Sequence, residues 1–275
     1  MVSFTKLIAA GLLASAAVAV PHGHQHSHVH VTKRSSSKRG AAYNDASTVE
    51  TLSSNGAISW AYDWNMIASG SLPSGVEFVP MLWGRKMFGD WFTTIQTVLS
   101  SASGSSYILG FNEPDASSQA AMTPSEAASS YSTYITPYSG KAKLVTPAVT
   151  NGGGDNEGLG WMRQFLDACT DCGMSVLAVH WYGASADEFK TFVQEAQELA
   201  SKYNLEETWV TEFALSSAMT AGSGTQESTD FLNEVIPWLD SQSGIGRYAY
   251  YMCADGFLLE GSDLSASGKA YTYQS

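Results

Sequence analysis

From residue 40 onward the chain alternates short apolar runs, rich in Val, Ile, Leu, Tyr and Trp, with polar stretches of helix length. The runs cover residues 40–43, 58–64, 76–83, 107–111, 143–149, 176–182, 208–213 and 247–252. Apolar runs this short, bounded by turn residues, read as strands. The spacers at 91–100, 124–136, 161–168, 186–203 and 228–240 read as helices. Thr123-Pro124 followed by Glu126 gives one of them a clear start, a capping hydroxyl with proline in the first turn. Strand and helix in alternation imply a parallel sheet, and eight such units predict a closed α/β barrel, the (β/α)8 or TIM barrel, over an open doubly wound sheet. No glycine-rich fingerprint follows the first strand. Asn151-Gly152-Gly153-Gly154 lacks the Gly-Lys-Ser/Thr ending of a phosphate loop and reads as the loop after the fifth strand. A single catalytic domain is expected over 40–275, a length that suffices for one large core.

The first residues break this pattern. Lys6, an apolar run from Leu7 to Val20 and the small residues Ala17-Val18-Ala19 predict a secretory signal over 1–19. Its apolar core is too short to span a bilayer, and no later run approaches the roughly 20 residues a membrane helix needs. Residues 20–39 hold histidines at 22, 24, 26, 28 and 30, then Lys33-Arg34 and Lys38-Arg39 around a serine run. Alternating histidines can hold transition metals. Beside two dibasic pairs, the simpler expectation is a pro-segment or linker trimmed during export, leaving a protein that is secreted, extracellular or in the cell wall.

After that segment the charge is one-sided. Beyond Gly40 lie 26 acidic and 9 basic side chains, so a formal −12 for the whole chain becomes −17 for the expected domain. Such a surface repels nucleic acid and anionic membranes, and a neutral polysaccharide is a compatible partner. Cys169 and Cys172 form a C-x-x-C pair that, in an exported chain, reads as a small structural disulfide. His180 is the last histidine left in the domain, which argues against a metal hydrolase built on two or three imidazoles; no metal and no cofactor is expected. The chain is expected to act as a monomer.

Two glutamates carry the candidate chemistry. Glu113, in Phe111-Asn112-Glu113-Pro114, and Glu212, in Val210-Thr211-Glu212-Phe213, each close an apolar run. In a barrel, strand ends at the carboxyl side carry the reactive groups. Simple alternation places Leu109 and Phe111 on one face with Glu113, and Val210 on one face with Glu212, so both carboxylates are expected to extend inward rows. A charge at the inward end of a buried strand is costly unless paired or used. Two carboxyls are what glycoside hydrolysis needs, one to protonate the leaving oxygen and one on the other face of the sugar ring. A loop entrance built from ordinary turn residues is the competing reading of Asn112-Glu113-Pro114-Asp115. Aromatic residues near strand ends suit the apolar faces of pyranose rings. Trp83 and Trp181 are expected in a glycan groove with Trp64, and Tyr250 and Tyr251 in the core.

An ordered set of segments resembles a known family: Lys38-Arg39-Gly40, Ser59-Trp60-Ala61-Tyr62, Phe78-Val79-Pro80-Met81-Leu82-Trp83-Gly84, Gly110-Phe111-Asn112-Glu113-Pro114, His180-Trp181-Tyr182 and Thr211-Glu212-Phe213-Ala214. These are similar to fungal members of glycoside hydrolase family 128, secreted endo-β-1,3-glucanases of the clan A retaining glycosidases. The resemblance implies Glu113 as acid/base, Glu212 as nucleophile and Asn112 as the residue that bonds the sugar 2-hydroxyl. His180 and Tyr182 share a strand face near Glu212, where a phenol orients the nucleophile and an imidazole either bonds a sugar hydroxyl or fills the core. Two alternatives stay open: a non-catalytic glucan-binding wall protein, and a clan A enzyme acting on β-mannan or cellulose.

Overall fold

The computed structural model describes residues 37–101, 104–222 and 224–273. The expected signal sequence and most of the 20–39 segment, with its histidines and Lys33-Arg34, lie outside the described residues.

The architecture is α/β with parallel strands. β1 (Gly40–Ala42), β2 (Trp60–Tyr62) and β3 (Glu77–Phe78) form one sheet in that order. β4 (Tyr107–Ile108), β5 (Lys143–Val149), β6 (Met174–Gly183), β7 (Glu207–Leu215) and β8 (Ile245–Tyr250) form a second, half-barrel sheet in chain order. Neighbouring strands run parallel, so each crossover needs a connecting segment. Helices supply most of them: α1 (Ala46–Ser53), α2 (Phe88–Ser100), α3 (Pro124–Tyr134), α4 (Gly158–Ala168), α5 (Ala186–Lys202), the short α6 (Ala218–Ala221) and α7 (Gln226–Ser241). A small antiparallel pair, β9 (Leu259–Glu260) and β10 (Asp263–Leu264), leads into α8 (Ala266–Tyr273). α3 starts as its sequence predicts, with Thr123 and Glu126 bonded to each other's backbone in a capping box.

β3 and β4 are shorter than the apolar runs 76–83 and 107–111 that contain them. Pro80 has no N–H to give a ladder, and beyond it single bonds take over. Leu109 donates its N–H to the Pro80 carbonyl at 2.9 Å, and Met81 bridges Leu109 in parallel. That bridge joins the two sheets at one seam. At the other, parallel bridges pair Arg39 with Tyr248 and Tyr43 with Cys253.

Two apolar layers follow from this arrangement. One contains strand and strand-end residues alone, among them Trp60, Tyr62, Val79, Leu109, Ala178 and Trp209. The other joins the opposite strand faces to the helices, clustering Trp91, Phe165, Phe189 and Phe231 from the helices with Leu177, Val179 and Phe213 from the strands. Cys169 and Cys172 form a disulfide just before β6, and Cys253 is free and buried after β8. Among the described residues no helix is long and apolar enough to cross a membrane.

Lys38 and Arg39, the last residues of the expected 20–39 segment, are anchored in this domain. Lys38 Nζ donates to the carbonyls of Leu239, Asp240 and Gln242 at 3.2, 3.0 and 2.7 Å, at the C-terminus of α7 where carbonyls lack helical partners. Arg39 is 6% exposed. Its guanidinium donates to Tyr248 Oη at 3.0 Å, the Tyr271 carbonyl at 3.1 Å and Asp240 Oδ2 at 2.6 Å, tying β1 to β8, α8 and α7.

Candidate active site

Glu212 faces the strand-lined interior because β7 is irregular just before it. Val179 pairs with Val210, but the next residue of β6, His180, pairs with Glu212, which leaves Thr211 as an extra residue. The β8 side agrees: Val210 pairs with Tyr248 and Phe213 with Tyr250, three steps on β7 against two on β8. Trp209 belongs to the strand-only layer and Val210 to the helix-facing layer. Plain alternation would therefore send Glu212 outward with Val210, so the expectation that these two share a face is corrected. The bulge restores the inward direction, a common use of bulges beside active sites. Tyr62 Oη donates to the Thr211 carbonyl at 2.8 Å, which satisfies the displaced backbone.

Glu113 reaches the same place by another route. Leu109 lies in the strand-only layer, whereas Phe111 packs on Phe88 and Tyr131 on the helix side, so the inward row expected from Leu109 through Phe111 does not exist. The parity changes across Gly110, where an added Cβ would lie 2.6 Å from Pro147 N and 2.7 Å from Thr146 C; only glycine lets β5 come this close. Glu113 itself has φ 41°, in the left-handed region. Its N–H is held by the Ala148 carbonyl at 2.8 Å, and that of Asn112 by the Trp83 carbonyl at 3.0 Å. Asp115 fixes the following turn, accepting from Thr150 Oγ1 at 2.6 Å and Gly158 N–H at 2.8 Å.

The two carboxylates meet around one imidazole. Glu113, His180 and Glu212 each place an oxygen or ring nitrogen within 4.8 Å of the other two. His180 Nδ1 lies 2.8 Å from Glu113 Oε1, and its Nε2 lies 3.6 Å from Glu212 Oε1. Glu212 accepts from Tyr182 Oη at 2.6 Å on one oxygen and from Trp64 Nε1 at 2.7 Å on the other. Protons aimed at both oxygens suit a bare carboxylate and oppose a bound cation. Burial alone would lower the His180 pKa, but the charge of Glu212, the hydrogen bond and charge of Glu113 and the charge of Asp115 together raise it above the ordinary imidazole value. Tyr182 is pushed far up by burial, then by the charge and hydrogen bond of Glu212, so its phenol stays a donor. Asn151, in the glycine-rich loop after β5, holds the backbone of Tyr182 through both ends of its amide, at 3.1 and 3.0 Å.

A pocket of ≈ 370 Å³ opens over this trio. Of the residues expected from the sequence, Glu113, Glu212, Asn112, Tyr182, Trp64 and Trp83 line it. Asn112 gives its amide N–H to Gln119 Oε1 at 3.3 Å, while its buried Oδ1 accepts no protein hydrogen bond. Lys86 Nζ sits 3.5 Å from the centroid of the Trp83 ring, so Trp83 meets the pocket with its remaining surface. Trp181 is not a groove residue: at 2% exposure it stacks on Phe231 and meets Phe189 edge-on. With His180 and Tyr182 pointing inward on β6, the residue between them must point to the helices. His180 is fully buried behind the carboxylates and is not among the residues that line the pocket; its Nδ1 is paired with Glu113, while its Nε2, 3.6 Å from Glu212, has no hydrogen-bond partner among the described residues.

Tyr251, expected in the core, lines the pocket with Asn44, Gln119 and Met219. The signal for Tyr251 was available, since Tyr248 and Tyr250 belong to the helix-facing layer and the next residue faces the other way. Asn44, Gln119 and Met219 stand outside the strand runs and have no such periodicity.

Comparison with known proteins places these features in a family. The family described as "Glycosyl hydrolase catalytic core" matches residues 40–271. A family 128 (subgroup III) curdlan-specific exo-β-1,3-glucanase from Blastomyces gilchristii, solved with glucose, is 42% identical, with 87% of this chain and 99% of that one covered and a TM-score of 0.79. A family 128 (subgroup I) endo-β-1,3-glucanase from Amycolatopsis mediterranei, solved with laminaritriose, is 27% identical over 86% of this chain and 99% of that one, with a TM-score of 0.71. Alkali-sensitive linkage protein 1 of Schizosaccharomyces pombe is 28% identical over 204 residues, 72% of this chain. The match spans about a third of that protein's length, 35%.

Proposed function

The chain belongs to glycoside hydrolase family 128, and from that premise we propose that it hydrolyses β-1,3-glucan with net retention, Glu113 acting as acid and base and Glu212 as nucleophile. The observation that carries this reading is the spacing of the carboxylates, with an oxygen of each within 4.8 Å of the other. Retaining pairs stand roughly 5–5.5 Å apart, whereas an inverting pair needs roughly 6.5–9.5 Å to admit a water between.

In the first step a Glu212 oxygen attacks the anomeric carbon while Glu113 gives its proton to the departing glycosidic oxygen. With the His180 proton on Nδ1, the ring donates to Glu113 Oε1 and leaves Oε2 to carry the acid proton. In the second step Glu113 takes a proton from water, the water oxygen bonds to the anomeric carbon, and Glu212 leaves as a carboxylate. Tyr182 and Trp64 receive it. The unpartnered Asn112 Oδ1 accepts the sugar 2-hydroxyl, and Trp83, Trp64 and Tyr251 give the rings apolar surface.

The bridges at the two seams support reading both sheets as one closed (β/α)8 barrel with this pocket at the carboxyl ends of its strands. The domain works as a monomer outside the cell or in its wall, released with residues 1–19 removed. Its products report the mode: internal cleavage, the expected mode, gives a ladder of oligosaccharides, and exo action, named for the Blastomyces relative, gives glucose first.

Reducing-end release from laminarin and curdlan, run beside Glu113→Gln and Glu212→Gln, tests the proposal. Turnover is expected in the unsubstituted protein and a loss of several orders of magnitude in either variant. A folded protein that releases no sugar from either glucan would sink it.

A further inference from the structure

Trp64 lines the pocket, yet its backbone is its unusual feature. Its φ is 55°, in the left-handed region that a bulky side chain rarely adopts. The turn is held from both sides. Asp63 accepts from Asn65 N–H at 3.2 Å and Ser69 N–H at 2.8 Å, and the Asn65 carbonyl accepts from Met81 N–H at 2.9 Å. The ring is wedged edge-on between Tyr62 and Tyr251, with centroids 5.1 and 6.0 Å away. A costly conformation over-determined by its surroundings points to a use. Here it aims the indole N–H at Glu212 Oε1, 2.7 Å away.

We infer that the Trp64 indole N–H is a catalytic hydrogen-bond donor whose main effect is on breakdown of the glycosyl-enzyme. The inference rests on the retaining reading above. In the glycosyl-enzyme one Glu212 oxygen is bonded to the anomeric carbon and the group is a neutral ester. When water attacks, that C–O bond breaks, its electron pair goes to Glu212, and the water proton goes to Glu113. Negative charge grows on the carboxylate in this step alone, and a donor to an anion strengthens as the charge grows. In the first step charge leaves Glu212, so the same donor gives no advantage there.

The test replaces the indole N–H at constant shape, by incorporating β-(3-benzothienyl)alanine at position 64, with Trp64→Phe as a second variant. The substrate is an aryl β-laminaribioside with an activated phenol, which makes the first step fast. Expected is a fall in kcat of about 10- to 100-fold with a parallel fall in KM, and a larger steady-state fraction of glycosyl-enzyme in the intact-protein mass spectrum. A purely structural role would lower the fraction of active protein and leave KM unmoved. A folded isostere with unaltered kcat and KM overturns the inference alone. A wild type that forms no covalent species while hydrolysing overturns the retaining reading, and this inference with it.

Discussion

Replacing Arg39 with alanine should cost the fold about 3 kcal/mol, at the low end of the roughly 3–5 kcal/mol lost on breaking a buried ion pair. The low end applies because Asp240 keeps 35% of its side chain exposed, so water partly compensates the abandoned carboxylate. Further losses are the bonds to the Tyr271 and Thr272 carbonyls, which accept from the guanidinium at 3.1 and 3.3 Å in a buried setting, although the Thr272 carbonyl keeps Asn55 Nδ2 at 2.9 Å. Tyr248 Oη keeps a partner, since it donates to Asp240 Oδ1 at 2.7 Å. For a domain of this size each kcal/mol moves Tm by roughly 2–4 °C, so a fall of about 6–12 °C is expected. Equilibrium urea unfolding followed by tryptophan fluorescence gives the free energy, with Arg39→Lys as a control. Lysine keeps the charge but lacks the planar fork that reaches three elements at once, so it should recover only part of the loss. Asp240→Asn and the double variant complete a cycle that isolates the pair. A chain beginning at Gly40 loses this latch and the Lys38 cap together and should be less stable than Arg39→Ala. Stability of Arg39→Ala within about 0.5 kcal/mol of the parent would refute the latch and return Lys38-Arg39 to the trimmed segment.

Two further outcomes follow from the carboxylate trio. The raised His180 pKa means that the folded state binds that proton more tightly than the unfolded chain; its contribution is complete below the ordinary value of 6.5 and is lost as pH rises through the folded value. The stability gap between the parent and His180→Asn, measured in urea, should therefore be wider at pH 5 than at pH 8, and an equal gap would contradict the assignment. Inserting one alanine between Thr211 and Glu212 shifts the alternation by one residue and turns Glu212 toward Phe189 and Phe231, so both glucan hydrolysis and urea resistance should fall sharply, whereas deleting Thr211 leaves Glu212 directly after Val210 and still inward. Retained turnover in the insertion variant would show that strand parity does not aim the nucleophile.

Much of this protein is written along its chain. Runs with turn residues between them determined the strand order, and Thr123-Pro124 with Glu126 determined the start of α3, because periodicity and capping are local properties. Glu113 and Glu212 were legible as residue types placed where apolar runs end. Their inward direction was expected, but from rows that do not exist. A single extra residue at Thr211, and the parity change across Gly110, break the plain alternation on which that expectation stood, and both depend on how neighbouring strands register and how close β5 comes. Trp181 shows the same limit from the other side: its neighbours in sequence belong to the site, but strand geometry gives it to the helices. Lys38-Arg39 has the composition of a linker and the contacts of a core, since its partners lie some two hundred residues away. The chain alone determines which groups are available. Which of them meet within 4.8 Å, and which face a sugar, is decided by long-range pairing that no local pattern encodes.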